Sequence, residues 1–251
     1  SDPAQVQDFV SRQRETGIYL SVLGFGGGNY NDALMQRLAQ NGNGVAAYID
    51  TLSEARRVLS DELNGALFPI ANDVKIQVEF NPARVAEYRL IGYETRMLRR
   101  EDFNNDTVDA GEIGAGHAVT AIYEITPVGG PTFTEPLRYQ RGGAIAPSTA
   151  NEIAFLRIRY KLPGQDDSRL IERPITNGDA VANVARAPEH VRFATAVAGY
   201  GQLLRGDPYV GQGFSWNDVI TLAQGARGRD EFGWRAEFVQ LARAAASAPA
   251  L

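Results

Sequence analysis

The sequence predicts a mixed α/β plus α+β chain in three parts: an incomplete doubly wound α/β segment over residues 1–66, an antiparallel, sandwich-like β region over 67–180, and a helical segment over 181–251. Three observations carry this reading. Gly17 to Asp50 reads as strand, glycine-rich turn, helix, strand, a βα repeat that buries its strands only inside a larger parallel sheet flanked by helices. From Val74 onward the hydrophobic period changes to two. After Pro188 it returns to helical spacing.

In the first part, Val6, Phe9 and Val10 follow helical spacing after Pro3 and predict a helix ending before Gly17. A short apolar strand over Ile18 to Leu23 comes next. Asn29 or Asn31 is placed to cap a helix through Gln40, with Leu34, Met35 and Leu38 on its inner face. The run Asn41-Gly42-Asn43-Gly44 closes that helix, and Val45 to Ile49 forms the second strand. Thr51 and Glu54 match a capping box that opens a helix toward Leu63, stopped by Gly65.

In the middle part, Val74, Ile76, Val78 and Phe80 alternate with Lys75, Gln77 and Glu79, the pattern of a strand buried on one face. The alternation returns at Val119, Ala121, Tyr123 and Ile125. It returns again at Ala154, Leu156, Ile158, Tyr160 and Leu162, against Arg157, Arg159 and Lys161. Tyr88 to Tyr93 and Leu170 to Ile175 complete a mainly antiparallel set. Residues 129 to 150 read as a long connection.

In the last part, Pro188 suits a first helical turn, with Val191, Ala194, Thr195 and Ala198 on one stripe and Gly206 as the stop. Ser215 caps a second helix carrying Val219, Ile220 and Leu222. Asp230 caps a third with Trp234, Phe238 and Leu241, and the three are expected to pack as one unit.

Composition removes several function classes. A formal net charge of -5 argues against a nucleic-acid binder, which needs a concentrated basic face. Only Lys75 and Lys161 are lysines, so nearly all positive charge is arginine. The absence of cysteine excludes disulfides, zinc-thiolate sites and thiol nucleophiles. No run approaches the roughly 18 apolar residues of a membrane span. The opening at Ser1-Asp2-Pro3, with so few residues before the βα repeat, leads us to expect the tail of a larger domain.

Three clusters are candidates for chemistry. The loop Gly24-Phe25-Gly26-Gly27-Gly28-Asn29 follows a strand, and Asp50 ends the next strand about where a ribose-binding acid would stand. Asn29 takes the place of the third glycine, where close helix approach is required, so a tight turn is the competing role. Asp102-Phe103-Asn104-Asn105-Asp106 imitates the first ligands of a calcium loop. Its continuation departs from that pattern: Thr107 replaces the sharp-turn glycine and Ile113 falls where the bidentate glutamate belongs, with Glu112 one residue short and Asp109 the remaining acid of an irregular Asp102–Glu112 site. His117 follows Glu112 closely enough for an acid/base pair, or serves as a hydrogen-bonded turn residue. His190 reads as structural or solvent-exposed. No Gly-x-Ser-x-Gly elbow and no His-Glu-x-x-His pattern occurs.

Five long motifs in order carry a resemblance: Leu20 to Met35, Gly42 to Asp50, Val74 to Pro82, Tyr88 to Glu94 and Asp109 to His117. Together they make the chain resemble a bacterial family of von Willebrand factor type A proteins with a conserved C-terminal domain of unknown function. The resemblance covers nearly the whole chain. It implies that residues up to about Gly65 are the closing βαβα part of a von Willebrand A fold. It also implies that the Mg²⁺ of a metal-ion-dependent adhesion site would be held upstream, by an Asp-x-Ser-x-Ser loop that this chain does not contain. An extracytoplasmic, cell-envelope or lipoprotein-associated setting is implied in the same way.

The resulting expectation is a non-enzymatic protein-interaction or adhesion-type module. It has no catalytic, cofactor-binding or metal-ligating residues assigned, no nucleic-acid partner, an unidentified protein partner, and a homodimer as one way to cover the open sheet. The rival is a nucleotide- or Ca-dependent enzyme using the Gly24–Asn29 loop or the Asp102–Asp106 turn.

Overall fold

The structure is a computed structural model that describes residues 3–26, 30–62, 68–93, 97–108, 110–134, 151–210 and 213–248. It is a mixed α/β architecture with a multi-stranded antiparallel sheet in the middle and helices toward the C-terminus. The chain divides into two compact units. One takes Ser1–Ile76, Leu98–Val119 and Ile158–Ile171, and the other takes Gln77–Met97, Thr120–Arg157 and Glu172–Leu251.

The first unit opens with α1 (Pro3–Glu15), β1 (Val22–Phe25), α2 (Asp32–Asn41), β2 (Ala46–Ile49) and α3 (Leu52–Arg57), which runs on as a π-helical turn over Val58–Glu62. Strands β1 and β2 pair in parallel, with Val22 opposite Ala46 and Phe25 opposite Ile49. Asn31 caps α2 by accepting the Leu34 N–H at 3.1 Å. Ala47, Ile49 and Val58 form the buried cluster beneath this pair, with Leu23 and Ala55 packed against it.

Two expectations in this region are corrected. The first strand begins at Val22 rather than Ile18, because the Leu20 N–H donates to the Gly42 carbonyl (2.8 Å) and draws the preceding segment against the turn after α2. Of the capping box at Thr51, one half forms: Thr51 accepts the Glu54 N–H at 3.2 Å, while the Glu54 carboxylate pairs with Arg57. The helix stop expected at Gly65 lies outside the described residues.

The middle contains β3 (Pro69–Phe80), β4 (Val85–Ile91), a 3₁₀ turn (Arg100–Asn104), β5 (Gly111–Gly114), β6 (Ile122–Pro127), β7 (Glu152–Lys161) and β8 (Ser168–Thr176). One sheet has the order β5-β3-β7-β8, and β4 and β6 form a separate antiparallel ladder with Tyr88 opposite Ile125. Phe80 stacks on Tyr88 (4.4 Å between centroids) and meets Tyr123 edge-on. Most of the connection expected over 129–150 lies outside the described residues.

The strands form where the period predicts them, but in two of them the expected inner face is reversed at one pair of neighbouring positions. On β3, Lys75 is 3% exposed and Ile76 is 39% exposed. On β6, Thr126 is buried and Ile125 is exposed. In β3 the reason is local: the Arg100–Asn104 turn and its sequel cover the polar face, and the Lys75 ammonium donates to the Asn105 carbonyl there.

The second unit ends in α4 (Glu189–Leu204), α5 (Trp216–Gly225) and α6 (Trp234–Ser247). Ala196, Val219, Ala223, Val239 and Ala242 form one buried core, flanked by Phe193, Tyr200, Leu203, Phe214 and Phe238. Ser215 and Asp218 make the capping box that starts α5. The N-cap position of α6 is Gly233 rather than Asp230, but Asp230 supplies the capping bonds from three residues upstream, its two carboxylate oxygens accepting the N–H groups of Arg235 (2.9 Å) and Ala236 (2.8 Å). On α4 the stripe facing the other helices is Phe193, Ala196, Gly199, Tyr200 and Leu203, not the expected Val191, Ala194, Thr195 and Ala198. The helix is apolar on two sides, and the stripe is decided by Gly199, which lets the Phe214 ring lie against the α4 backbone.

Candidate functional site

At the glycine turn the space beside Gly24 is taken by a ring of the same chain. A Cβ on Gly24 would strike the Tyr30 ring, so the glycine admits an aromatic side chain of the same chain. Tyr30 packs on Tyr48 with centroids 4.9 Å apart, and the Tyr48 hydroxyl donates to the Gly26 carbonyl. Burial, and then the Asp32 charge, push the Tyr30 hydroxyl above its ordinary pKa. Gly27, Gly28 and Asn29 lie outside the described residues. The described part of the loop is a turn clasped by two tyrosines.

The acidic turn gathers several ion pairs of the first unit. Asn105 accepts at Oδ1 from the Thr107 N–H (3.0 Å) and hydroxyl (2.7 Å), which closes the turn on itself. Asp106 receives a fork from Arg159, Nε to Oδ1 at 3.0 Å and Nη2 to Oδ2 at 3.1 Å, and its Oδ2 also accepts from the Ser168 hydroxyl at 3.1 Å. Lys161 donates to the Asp106 carbonyl at 2.9 Å and pairs with Asp73 at 2.7 Å. Asp73 in turn accepts the Ala110 N–H at 3.2 Å.

These bonds decide how the calcium-loop resemblance is read. A cation site needs several oxygens aimed at one empty point, whereas here the oxygens of Asn105 and Asp106 already face donors of the same chain. Among the described residues no group of three or more His, Asp or Glu side chains is placed to hold a metal ion. Asp109 lies outside them.

The Asp106 carboxyl is held below its ordinary range, first by the hydrogen bond from Arg159, against a burial effect of opposite sign, and further by Ser168 and the charges of Arg159 and Lys161. A carboxyl with a depressed folded-state pKa contributes stability that is present above its unfolded value, about 4, and is lost as pH falls through the lowered folded value. Acid titration of the unfolding free energy is therefore expected to show a limb below about pH 4 that is smaller in Asp106→Asn. Equal acid limbs in the two chains would contradict this assignment.

Of the two readings of His117, the structure has the hydrogen-bonded turn residue. Glu112 accepts from the Asn43 amide at 2.5 Å, while His117 is exposed, with its backbone N–H bonded to the Gly114 carbonyl. His190 is exposed in the first turn of α4.

The second unit holds two features that sequence reasoning did not find. Arg89 on β4 bonds Glu124 on β6 (2.6 Å) and Asp207 just after α4 (2.7 Å), with the Tyr209 ring beneath its guanidinium at 5.0 Å. Beside it an open cavity of about 530 Å³ lies between α4 and the ends of β4 and β6, lined by Ile91, Ile122, Ala194, Val197, Ala198 and Arg205 among others. The second apolar stripe on α4 was the available signal for that cavity. Among the described residues no helix is long and apolar enough to cross a membrane.

Two comparisons with known proteins bear on these features. A family model described as the C-terminal region of the uncharacterized protein YfbK matches residues 65–248. The uncharacterized protein YfbK of Escherichia coli (strain K12) is 48% identical over 242 residues, a match that covers 96% of this chain and 41% of that protein. The chain thus spans well under half the length of the relative it matches.

Proposed function

Starting from the premise that the chain belongs to the family of the C-terminal region of the uncharacterized protein YfbK, we propose that it is a non-enzymatic protein-interaction module of a bacterial cell-envelope protein. In this reading its first sixty-odd residues are the closing part of a von Willebrand A-type sheet. The adhesion-site Mg²⁺ of that fold has no ligands in this chain, which lacks the Asp-x-Ser-x-Ser loop. No step is therefore assigned to it.

The observation that carries the reading is the parallel β1–β2 pair. Parallel strands occur almost only in sheets covered on both faces, because the pairing is weak and the strands are apolar throughout. Here the pair stands as a two-stranded sheet with Phe25 at 67% exposure and Leu52 at 71% close to its strand ends. Such an edge and such side chains are surfaces that seek a partner. The proposed partner is sheet-forming chain from the rest of the same protein, with a second copy of this chain as the substitute when that part is absent.

Amide exchange at Leu23 and Phe25, which alternate with the Val22 N–H already bonded to the Val45 carbonyl, tests this. In the full-length protein these two amides are expected to exchange at least about tenfold more slowly than in the isolated chain kept dilute enough to be monomeric, since an added neighbour strand accepts from them. Equal exchange in both would remove the proposal.

A further inference from the structure

The two lysines of the chain, Lys75 and Lys161, are 86 positions apart and converge on one two-residue stretch, the carbonyls of Asn105 and Asp106. Arg159 and Ser168 aim at the same place, and what they surround is a carboxylate. The arrangement has the make-up of an oxyanion site: a guanidinium fork and a hydroxyl, all donors, converge on the two carboxylate oxygens, with the Lys161 ammonium beside them on the Asp106 backbone carbonyl.

The two cations beside the turn have different partners: Lys161 pairs with Asp73, whereas the carboxylate that meets the Arg159 guanidinium is Asp106. The anion that balances the fork comes from a side chain 40% exposed at the open side of the cluster. The rest of the turn does not depend on that side chain. Phe103, buried to 2% exposure, anchors it from below, Asn105 closes it, and both lysines hold backbone carbonyls rather than the carboxylate.

We propose that Arg159 and Ser168, with the Lys161 charge beside them, form an oxyanion-binding site that Asp106 occupies in cis, and that an external carboxylate or phosphate group takes the place of the Asp106 side chain while Phe103 and Asn105 keep the turn in position. Asp106 is then an intramolecular competitor whose rotation out of the fork opens the site. This inference concerns the first unit alone and is independent of what completes the β1–β2 sheet.

The test is titration of the purified chain with inorganic phosphate, and separately with acetate, at constant ionic strength set by chloride. Asp106→Ala is expected to bind one of the two anions at least about tenfold more tightly than the wild type, because the competing carboxylate is gone. Adding Arg159→Gln is expected to return the affinity to the wild-type level. Preference for phosphate or for acetate identifies the source of the anion. Equal affinity in wild type and Asp106→Ala, or binding that survives Arg159→Gln as an adventitious ion only, overturns the proposal. Should Asp106→Ala fail to fold, the wild-type chain decides: the Arg159 Nε–H resonance is expected to move with phosphate or acetate but not with chloride, and a resonance that stays fixed overturns it.

Discussion

Ala223→Asp is expected to unfold the C-terminal helices. Ala223 is fully buried in the core where α5 packs between α4 and α6, with Ala196, Val219 and Ala242 as its equally buried neighbours. A core built of alanines holds helix backbones close together and leaves no room for a side chain to reach water. A carboxylate placed there is buried without a partner, because the arginines around these helices are engaged: Arg235 bonds Glu189 and the Ala226 carbonyl, and Arg192 bonds the Gly225 carbonyl. The expected loss is about 4 kcal/mol or more, at the upper end of what single substitutions do. Ala223→Gly removes no charge balance and is expected to cost only about 1 kcal/mol through helix propensity. Both tryptophans of the chain, Trp216 and Trp234, start the helices concerned, so tryptophan fluorescence in a urea titration reads the effect directly. An Ala223→Asp midpoint no lower than that of Ala223→Gly would mean that this core is not what holds the helices together.

The helical core was legible because its signals are local. Ser215 with Asp218, Asp230 ahead of Trp234, and Gly206 after α4 each act within a few residues of the helix end they set. Sequence narrows the cap of α2 to Asn29 or Asn31 for the same reason, and Asn31 is the one that forms it. What sequence did not disclose was the choice between two apolar faces. On α4 both stripes satisfy helical spacing, and the packing of Phe214 on Gly199 selects one, leaving Ala194 and Ala198 to line the cavity.

The same limit explains the sheet. Alternation identifies a strand but assigns its inner face only on the assumption that apolar residues win the burial. On β3 that assumption fails at Lys75, because a turn 25 residues and more downstream supplies a carbonyl for the ammonium and roofs the polar face. Strand β5 went unpredicted since Gly111, Glu112, Ile113 and Gly114 carry too little apolar pattern, and its pairing with β3 is irregular as well. The acidic turn was recognised as special from spacing, but its chemistry was not. Arg159, Lys161 and Ser168, which turn it into an ion-paired anion site, lie more than 50 residues away in the chain.

Gly44→Ala is expected to disrupt the β1–β2 pair, for a reason that concerns space rather than backbone freedom. The glycines of the Asn41-Gly42-Asn43-Gly44 turn lie against the segment that leads into β1. A Cβ on Gly44 would run into the Leu20 carbonyl and reach the Ser21 nitrogen at 2.8 Å, and one on Gly42 would sit 2.7 Å from the Leu20 Cβ. These obstacles are mainly backbone, which cannot swing aside as a flexible side chain does. The methyl must therefore push the Leu20–Ser21 segment away and with it the bonds from Leu20 N to Gly42 O and from Val22 N to Val45 O, each 2.8 Å, that set the register of the two strands. The cost is expected to be about 3 kcal/mol, the upper part of the overpacking range. Gly26 offers the contrast, since its φ of +79° meets no neighbouring atom and Gly26→Ala carries only the left-handed backbone penalty, about 1–2 kcal/mol. Amide exchange at Val22 to Phe25 and Ala46 to Ile49 separates the two, with Gly44→Ala expected to accelerate both strands well beyond Gly26→Ala. Exchange accelerated equally by the two substitutions would show that the close approach of Gly44 to Leu20 does not hold the strands in register.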